Sequence, residues 1–117
     1  NQVILDAYNA NPTSMKAAIL NFAATSLGNK KLWIGGMKEM GEAESYEHRE
    51  LVRLIGEHQW QEVILVGKEF AGIEHNFKWF EDSAAAAAYV ADNKPQNSSI
   101  LIKGSRGSRM ERLLEAM

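Results

Sequence analysis

Two stretches of this sequence concentrate side chains that could do chemistry. The first, Asp6-Ala7-Tyr8-Asn9-Ala10-Asn11-Pro12, places one carboxylate, one phenol and two amides directly ahead of a helical pattern. Two readings fit it. In one, it is a capped strand-to-helix turn in which Asn11 caps, Asn9 takes an unusual dihedral and Asp6 satisfies loop amides. In the other, it is a polar rim facing a ligand. Asp6 would then accept hydrogen bonds from ribose hydroxyls, and the helix N-terminus would favour an anionic group. The second stretch, Lys103-Gly104-Ser105-Arg106-Gly107-Ser108-Arg109, gathers two glycines, two serines and three cations. Backbone amides and guanidinium forks there could hold a carboxylate or phosphate. A glycine-permitted turn with solvated basic side chains reads almost as well.

Other chemistries find less support. Neither stretch has the glycine-lysine spacing of a Walker phosphate loop or the glycine pattern of a dinucleotide fingerprint, so no ATP phosphate cradle is present in the sequence. His48, His58 and His75 lack metal-ligand spacing, and only His48, near an acidic helix start, stays a weak site candidate. No metal site is expected. Gly35-Gly36-Met37-Lys38-Glu39-Met40-Gly41 permits close backbone approach, and its methionines read most simply as core. No serine sits in a hydrolase elbow. A phosphoacceptor signalling domain would need an aspartate after the third strand, where Val66-Gly67-Lys68 has none.

The elements that must position these loops alternate along the chain. Val3-Ile4-Leu5, Leu32-Trp33-Ile34, Val63-Ile64-Leu65-Val66 and Ile100-Leu101-Ile102 are continuous apolar runs, as expected of strands buried on both faces of a parallel sheet. Phe77-Lys78-Trp79-Phe80 is a weaker run, suited to a place nearer an edge. Met15, Ala18, Ile19 and Phe22 keep helical spacing behind Asn11 and Pro12, with Gly28 available as a C-terminal cap. Leu51, Leu54, Ile55 and His58 form a second stripe on a segment beginning near Glu44. Ser83 or Asp82 can cap a helix through the alanine run to Ala91, and Met110, Leu113, Leu114 and Met117 mark a last helix. This alternation predicts one α/β domain, Rossmann-like, with a mostly parallel doubly wound sheet and helices on both faces.

Composition bounds the function. A chain of 117 residues, 45% hydrophobic and 24% charged, suits a single globular domain and neither disorder nor a membrane protein. With no cysteine there is no disulfide scaffold, thiolate metal site or cysteine nucleophile. A formal net charge of −2 argues against a nucleic-acid or anionic-membrane partner. No apolar run approaches the ~18 residues of a spanning helix, and the start lacks a secretory signal. The chain does not begin with Met. The expectation is a cytoplasmic, monomeric domain taken from a longer protein.

Taken together, the loops resemble the C-terminal domain of the Mur ligases, and within that family the MurF-type branch. Asp6 to Pro12 followed by Ser14-Met15 is similar to its D-S-Y-N-A-N-P-x-S-M signature. Gly35 to Glu42 is similar to its G-D-M-x-E-L-G-E segment, His48-Arg49-Glu50 falls where the family often has a histidine, and Lys103-Gly104-Ser105-Arg106 with Met110-Glu111 resembles its K-G-S-R ending. The four blocks run in family order over nearly the whole of residues 1–117. Ala7 stands where serine or a second acid is usual, and Gly36 stands where an aspartate is common.

The resemblance implies an enzyme that phosphorylates the terminal carboxylate of UDP-N-acetylmuramoyl-tripeptide with ATP and Mg²⁺. The amine of D-alanyl-D-alanine then attacks the acyl phosphate, a step of peptidoglycan synthesis. It further implies that the phosphate loop and most magnesium ligands lie in a central domain and the UDP-sugar site in an N-terminal one. This domain alone would be inactive and would bind no cofactor tightly. By position, Asp6 would contact the ATP ribose, Tyr8, Asn9 and Asn11 would line the nucleotide and phosphate side, and Lys103, Ser105 and Arg106 would face the incoming dipeptide. The alternative is a free-standing, non-catalytic α/β module that binds a small anion or a partner protein.

Overall fold

In the computed structural model, which describes residues 1–7 and 9–117, the apolar runs form one five-stranded, fully parallel sheet. The strands are β1 (Gln2–Asp6), β2 (Lys30–Gly35), β3 (Glu62–Val66), β4 (Lys78–Phe80) and β5 (Ser99–Lys103), in the order β1-β5-β2-β3-β4. The helices are α1 (Pro12–Ala24), α2 (Glu44–Gly56), α3 (Ser83–Asp92) and α4 (Glu111–Glu115).

Strand alternation divides the core into two layers. Leu32, Ile34, Val63, Leu65 and Leu101 pack with Met15, Ile19 and Phe22 of α1 and Leu51, Val52 and Ile55 of α2. Their neighbours Trp33, Ile64, Val66, Ile100 and Ile102 face the other way, onto Ala86 and Val90 of α3 and Leu113 of α4. Helices therefore cover both faces, as continuous apolar strands require. Radius of gyration is 12.9 Å, close to the roughly 13 Å of a compact 100-residue domain.

Three local expectations need correction. The first run is not buried on both faces: β1 pairs with β5 alone at the sheet edge, and Ile4 and Leu5 are 50% and 42% exposed. Gly28 does not cap α1. That helix stops at Ala24, and Lys30 Nζ takes up its last carbonyls, donating to Ala23 O at 2.8 Å and Thr25 O at 2.6 Å, which places a cation at the negative end of the helix dipole. His58 lies beyond α2, whose buried stripe instead holds His48, Leu51, Val52 and Ile55.

The amino-terminal end of the sheet is tied by one carboxylate. Glu62 Oε1 accepts from Trp33 Nε1 at 3.2 Å, Oε2 accepts from the Tyr89 hydroxyl at 3.0 Å, and Lys31 and Lys78 each lie 3.6 Å away. Burial, and then the bond to Glu62, raises the Tyr89 hydroxyl above the ordinary tyrosine range. A raised folded-state pKa means this contribution to stability is present at neutral pH and is lost as pH climbs through the raised value. Glu62→Ala should lower stability by about 1–3 kcal/mol in urea unfolding and lower the Tyr89 titration midpoint. Wild-type values for both would show that Glu62 ties nothing together.

Candidate functional site at the carboxyl edge of the sheet

The strand order brings the two chemistry-bearing loops side by side. Because β5 inserts between β1 and β2, Asp6 is in register with Lys103, and Lys103 with Ile34. The ladder runs one step further, Gly104 N–H donating to Asp6 O at 3.1 Å. Lys103 Nζ donates to Asp6 Oδ2 at 2.6 Å and to Asn9 O at 2.9 Å. The Lys103 side chain is 2% exposed and that of Asp6 is 48% exposed. A buried ammonium must be paired, and this one is satisfied by the first loop. Lys103, assigned by resemblance to the dipeptide side, thus sits beneath Asp6 and holds it.

Asn11 caps α1. Its Oδ1 accepts from Ser14 N–H at 2.9 Å while Ser14 Oγ accepts from Asn11 N–H at 3.2 Å, a reciprocal capping box. The capped-turn reading is therefore correct for this residue, and Asn9, between it and Asp6, is exposed. Tyr8 lies outside the described residues.

The second loop bridges the middle of the edge. Gly104 is needed for space, since a Cβ there would lie 2.8 Å from Met110 Cγ and 3.1 Å from Gly35 Cα. Met110 thereby seats directly on the ends of β2 and β5. The buried Ser105 shares a hydroxyl contact of 3.0 Å with Ser108, which donates to Gly36 O at 3.1 Å. These bonds hold a 3₁₀ turn, Arg106–Ser108, over the end of β2 and leave Arg106 exposed.

Beyond that turn lies a group the sequence reading missed. Lys38 Nζ is 2.5 Å from Glu69 Oε2, and the Glu69 side chain is only 6% exposed. The contact is an ion pair by distance without hydrogen-bond alignment, and neither Glu69 oxygen has a hydrogen-bond partner. The pair opens onto a cleft of 350 Å³ whose rim includes Lys68, Asp82, Arg109 and Arg112. The one signal in the sequence was glycine at the ends of adjacent strands, Gly36 and Gly67. A second, mostly apolar cleft of 580 Å³ between α1 and α2 includes neither Asp6 nor Lys103.

His48 is structural. It is fully buried, its Nε2 accepts from Met37 N–H at 2.9 Å, and its Nδ1 lies 2.7 Å from Glu44 O, so Nδ1 carries the proton. Its ring meets Phe70 edge-on at 5.0 Å. It fastens α2 to the loop after β2. Among the described residues no three His, Asp or Glu side chains form a group able to hold a metal ion, and no helix is long and apolar enough to cross a membrane.

Comparison with known proteins gives this geometry a context. The family model for the Mur ligase, glutamate ligase domain, matches residues 1–106. UDP-N-acetylmuramoyl-tripeptide–D-alanyl-D-alanine ligase of Bacillus subtilis (strain 168) is 36% identical over 123 aligned positions, covering 97% of this chain and 27% of the relative. MurF from Acinetobacter baumannii superposes with a TM-score of 0.81 at 32% identity, covering 97% of this chain and 26% of that one. MurF ligase from Thermotoga maritima, solved in complex with ADP, gives 0.79 at 27% identity over 97% of this chain and 27% of that one. The chain spans about a quarter of the length of the relatives it matches. With the sheet, the paired edge loops and the family model all agreeing, the chain belongs to the Mur ligase C-terminal domain family.

Proposed function

We propose that this chain is the C-terminal domain of a longer ligase that joins D-alanyl-D-alanine to UDP-N-acetylmuramoyl-tripeptide at the expense of ATP. The observation that carries the reading is the Lys103–Asp6 pair, which holds a half-exposed carboxylate at the sheet's carboxyl edge beside a helix N-terminus. That edge is where ligands bind in open α/β sheets. The Bacillus subtilis relative bears the name of this ligase, and the Thermotoga maritima neighbour was solved with ADP. Nothing in these relatives favours the free-standing binding module.

The chemistry follows from the weakness of a carboxylate as an electrophile. Transfer of the ATP γ-phosphoryl group to the tripeptide's terminal carboxylate releases ADP and leaves an acyl phosphate. The dipeptide amine then forms the C–N bond, loses its proton, and inorganic phosphate departs. Mg²⁺ in the complete enzyme would neutralise the phosphate charge. Its ligands are placed by this reading in the other domains of the complete enzyme.

The chain's own residues bind and orient. Asp6, steadied by Lys103, accepts hydrogen bonds from the ribose hydroxyls. Asn9 and Asn11, with Tyr8, line the nucleotide and phosphate side. Ser105 braces the 3₁₀ turn, and from it the exposed Arg106 addresses the dipeptide carboxylate with its planar fork. The domain would work in the bacterial cytoplasm, within a monomeric enzyme whose central and N-terminal domains it closes over.

In the full-length protein, Asp6→Ala should raise the KM for ATP by about tenfold, as for loss of a charge-assisted hydrogen bond; an unchanged value removes Asp6 from the ribose. Lys103→Met should raise the same KM through the misplaced carboxylate and add little on top of Asp6→Ala. Additive losses would contradict the positioning role. Arg106→Ala should weaken dipeptide use more than ATP use, and the opposite ranking would overturn this division of the cleft.

A further inference from the structure

Glu69 is a buried charge with no part in the ligand contacts proposed above. Its carboxylate lies between the ends of β2 and β3 in space that only glycines leave open. A Cβ on Gly36 would come within 2.5 Å of Glu69 Cδ and Oε2, and one on Gly67, where φ is +128°, would collide with Oε1. A side chain at position 36 and the carboxylate of Glu69 therefore exclude one another. Burying an ionised carboxylate is costly unless it is paired. Its one ionic partner among the contacts described is Lys38, 2.5 Å away and 47% exposed.

Lys38 stands where this restraint has consequences. Its Cε is 3.6 Å from the position a Cβ on Gly107 would take, so its stem lies against the turn that carries Arg106. Its ammonium is on the wall of the 350 Å³ cleft that also meets Arg109 and Arg112. A lysine on an exposed loop ordinarily samples many rotamers and binds poorly for that reason. Held in ion contact with a buried carboxylate, the ammonium is confined to the side of the loop that faces the turn.

We infer that Glu69 is a positioning residue for the amine-bearing substrate: it fixes the Lys38 ammonium beside the Arg106–Ser108 turn so that Lys38 binds that substrate's carboxylate. The inference rests on the ligase reading above and extends it to a second cation and the acid behind it. Gly36, Gly67, Glu69 and Lys38 then act as one unit.

The test uses the full-length ligase and separate KM values for ATP and D-alanyl-D-alanine. Glu69→Gln keeps the shape and removes the charge. It should raise the dipeptide KM about tenfold with the ATP KM unchanged, and Lys38→Met should do the same, the double variant being no worse than Lys38→Met alone. Gly36→Asp combined with Glu69→Ser puts a carboxylate back in the same space from the neighbouring strand and should restore dipeptide affinity lost in Glu69→Ser. A wild-type dipeptide KM in Glu69→Gln, a rise shared equally by ATP, or failure of the Gly36→Asp rescue overturns the inference. If wild-type protein shows no dipeptide-dependent turnover, the ligase reading itself falls; normal wild-type turnover with an indifferent Glu69→Gln sinks the inference alone.

Discussion

A buried lysine, Lys103, reaches across 97 residues of sequence to the Asp6 carboxylate. The contact exists because the last strand of the sheet inserts beside the first. Removal of a lysine from water demands partners, and here they are the Asp6 carboxylate and the Asn9 carbonyl. One interaction thus joins the ends of the first and last strands and positions the half-exposed Asp6 carboxylate.

On the other side of the Arg106–Ser108 turn the same device recurs with its signs reversed. At the first pair the ammonium is buried and the carboxylate half exposed; at the second the carboxylate of Glu69 is buried and the ammonium of Lys38 half exposed. Each pair leaves one charge about half exposed and buries the other as its anchor. The turn between them, held by Ser105, Ser108 and the Gly36 carbonyl, separates an acid suited to ribose hydroxyls from cations suited to a carboxylate. In the proposed ligase such a partition would separate the nucleotide from the amino compound.

Much of this was legible in the sequence, and the failures have physical causes. Continuous apolar runs reported the parallel strands because burial on two faces leaves no room for polar residues. The same signal misled at Val3-Ile4-Leu5, since composition does not say which strand lies at an edge. The end of α1 was misplaced because Lys30, on the next strand, caps it instead of a local glycine. Asn11 was read correctly since helix caps are local. The partners of Lys103 and Glu69 were not, because each is set by strand order and not by spacing. At Gly36, where the related motif has an aspartate, the space is filled by the carboxylate of Glu69 from the turn that follows β3.

The central claim is that this edge of the sheet contributes to an ATP-dependent ligation and completes a site shared with other domains. The most direct measurement is ADP release by the full-length protein supplied with ATP, UDP-N-acetylmuramoyl-tripeptide and D-alanyl-D-alanine, with each omitted in turn and the isolated 117-residue chain run alongside. The expected result is release that needs all three substrates, yields UDP-linked pentapeptide in equal amount, and is absent from the isolated chain. ADP release indifferent to the dipeptide, or turnover by the isolated chain, would contradict it.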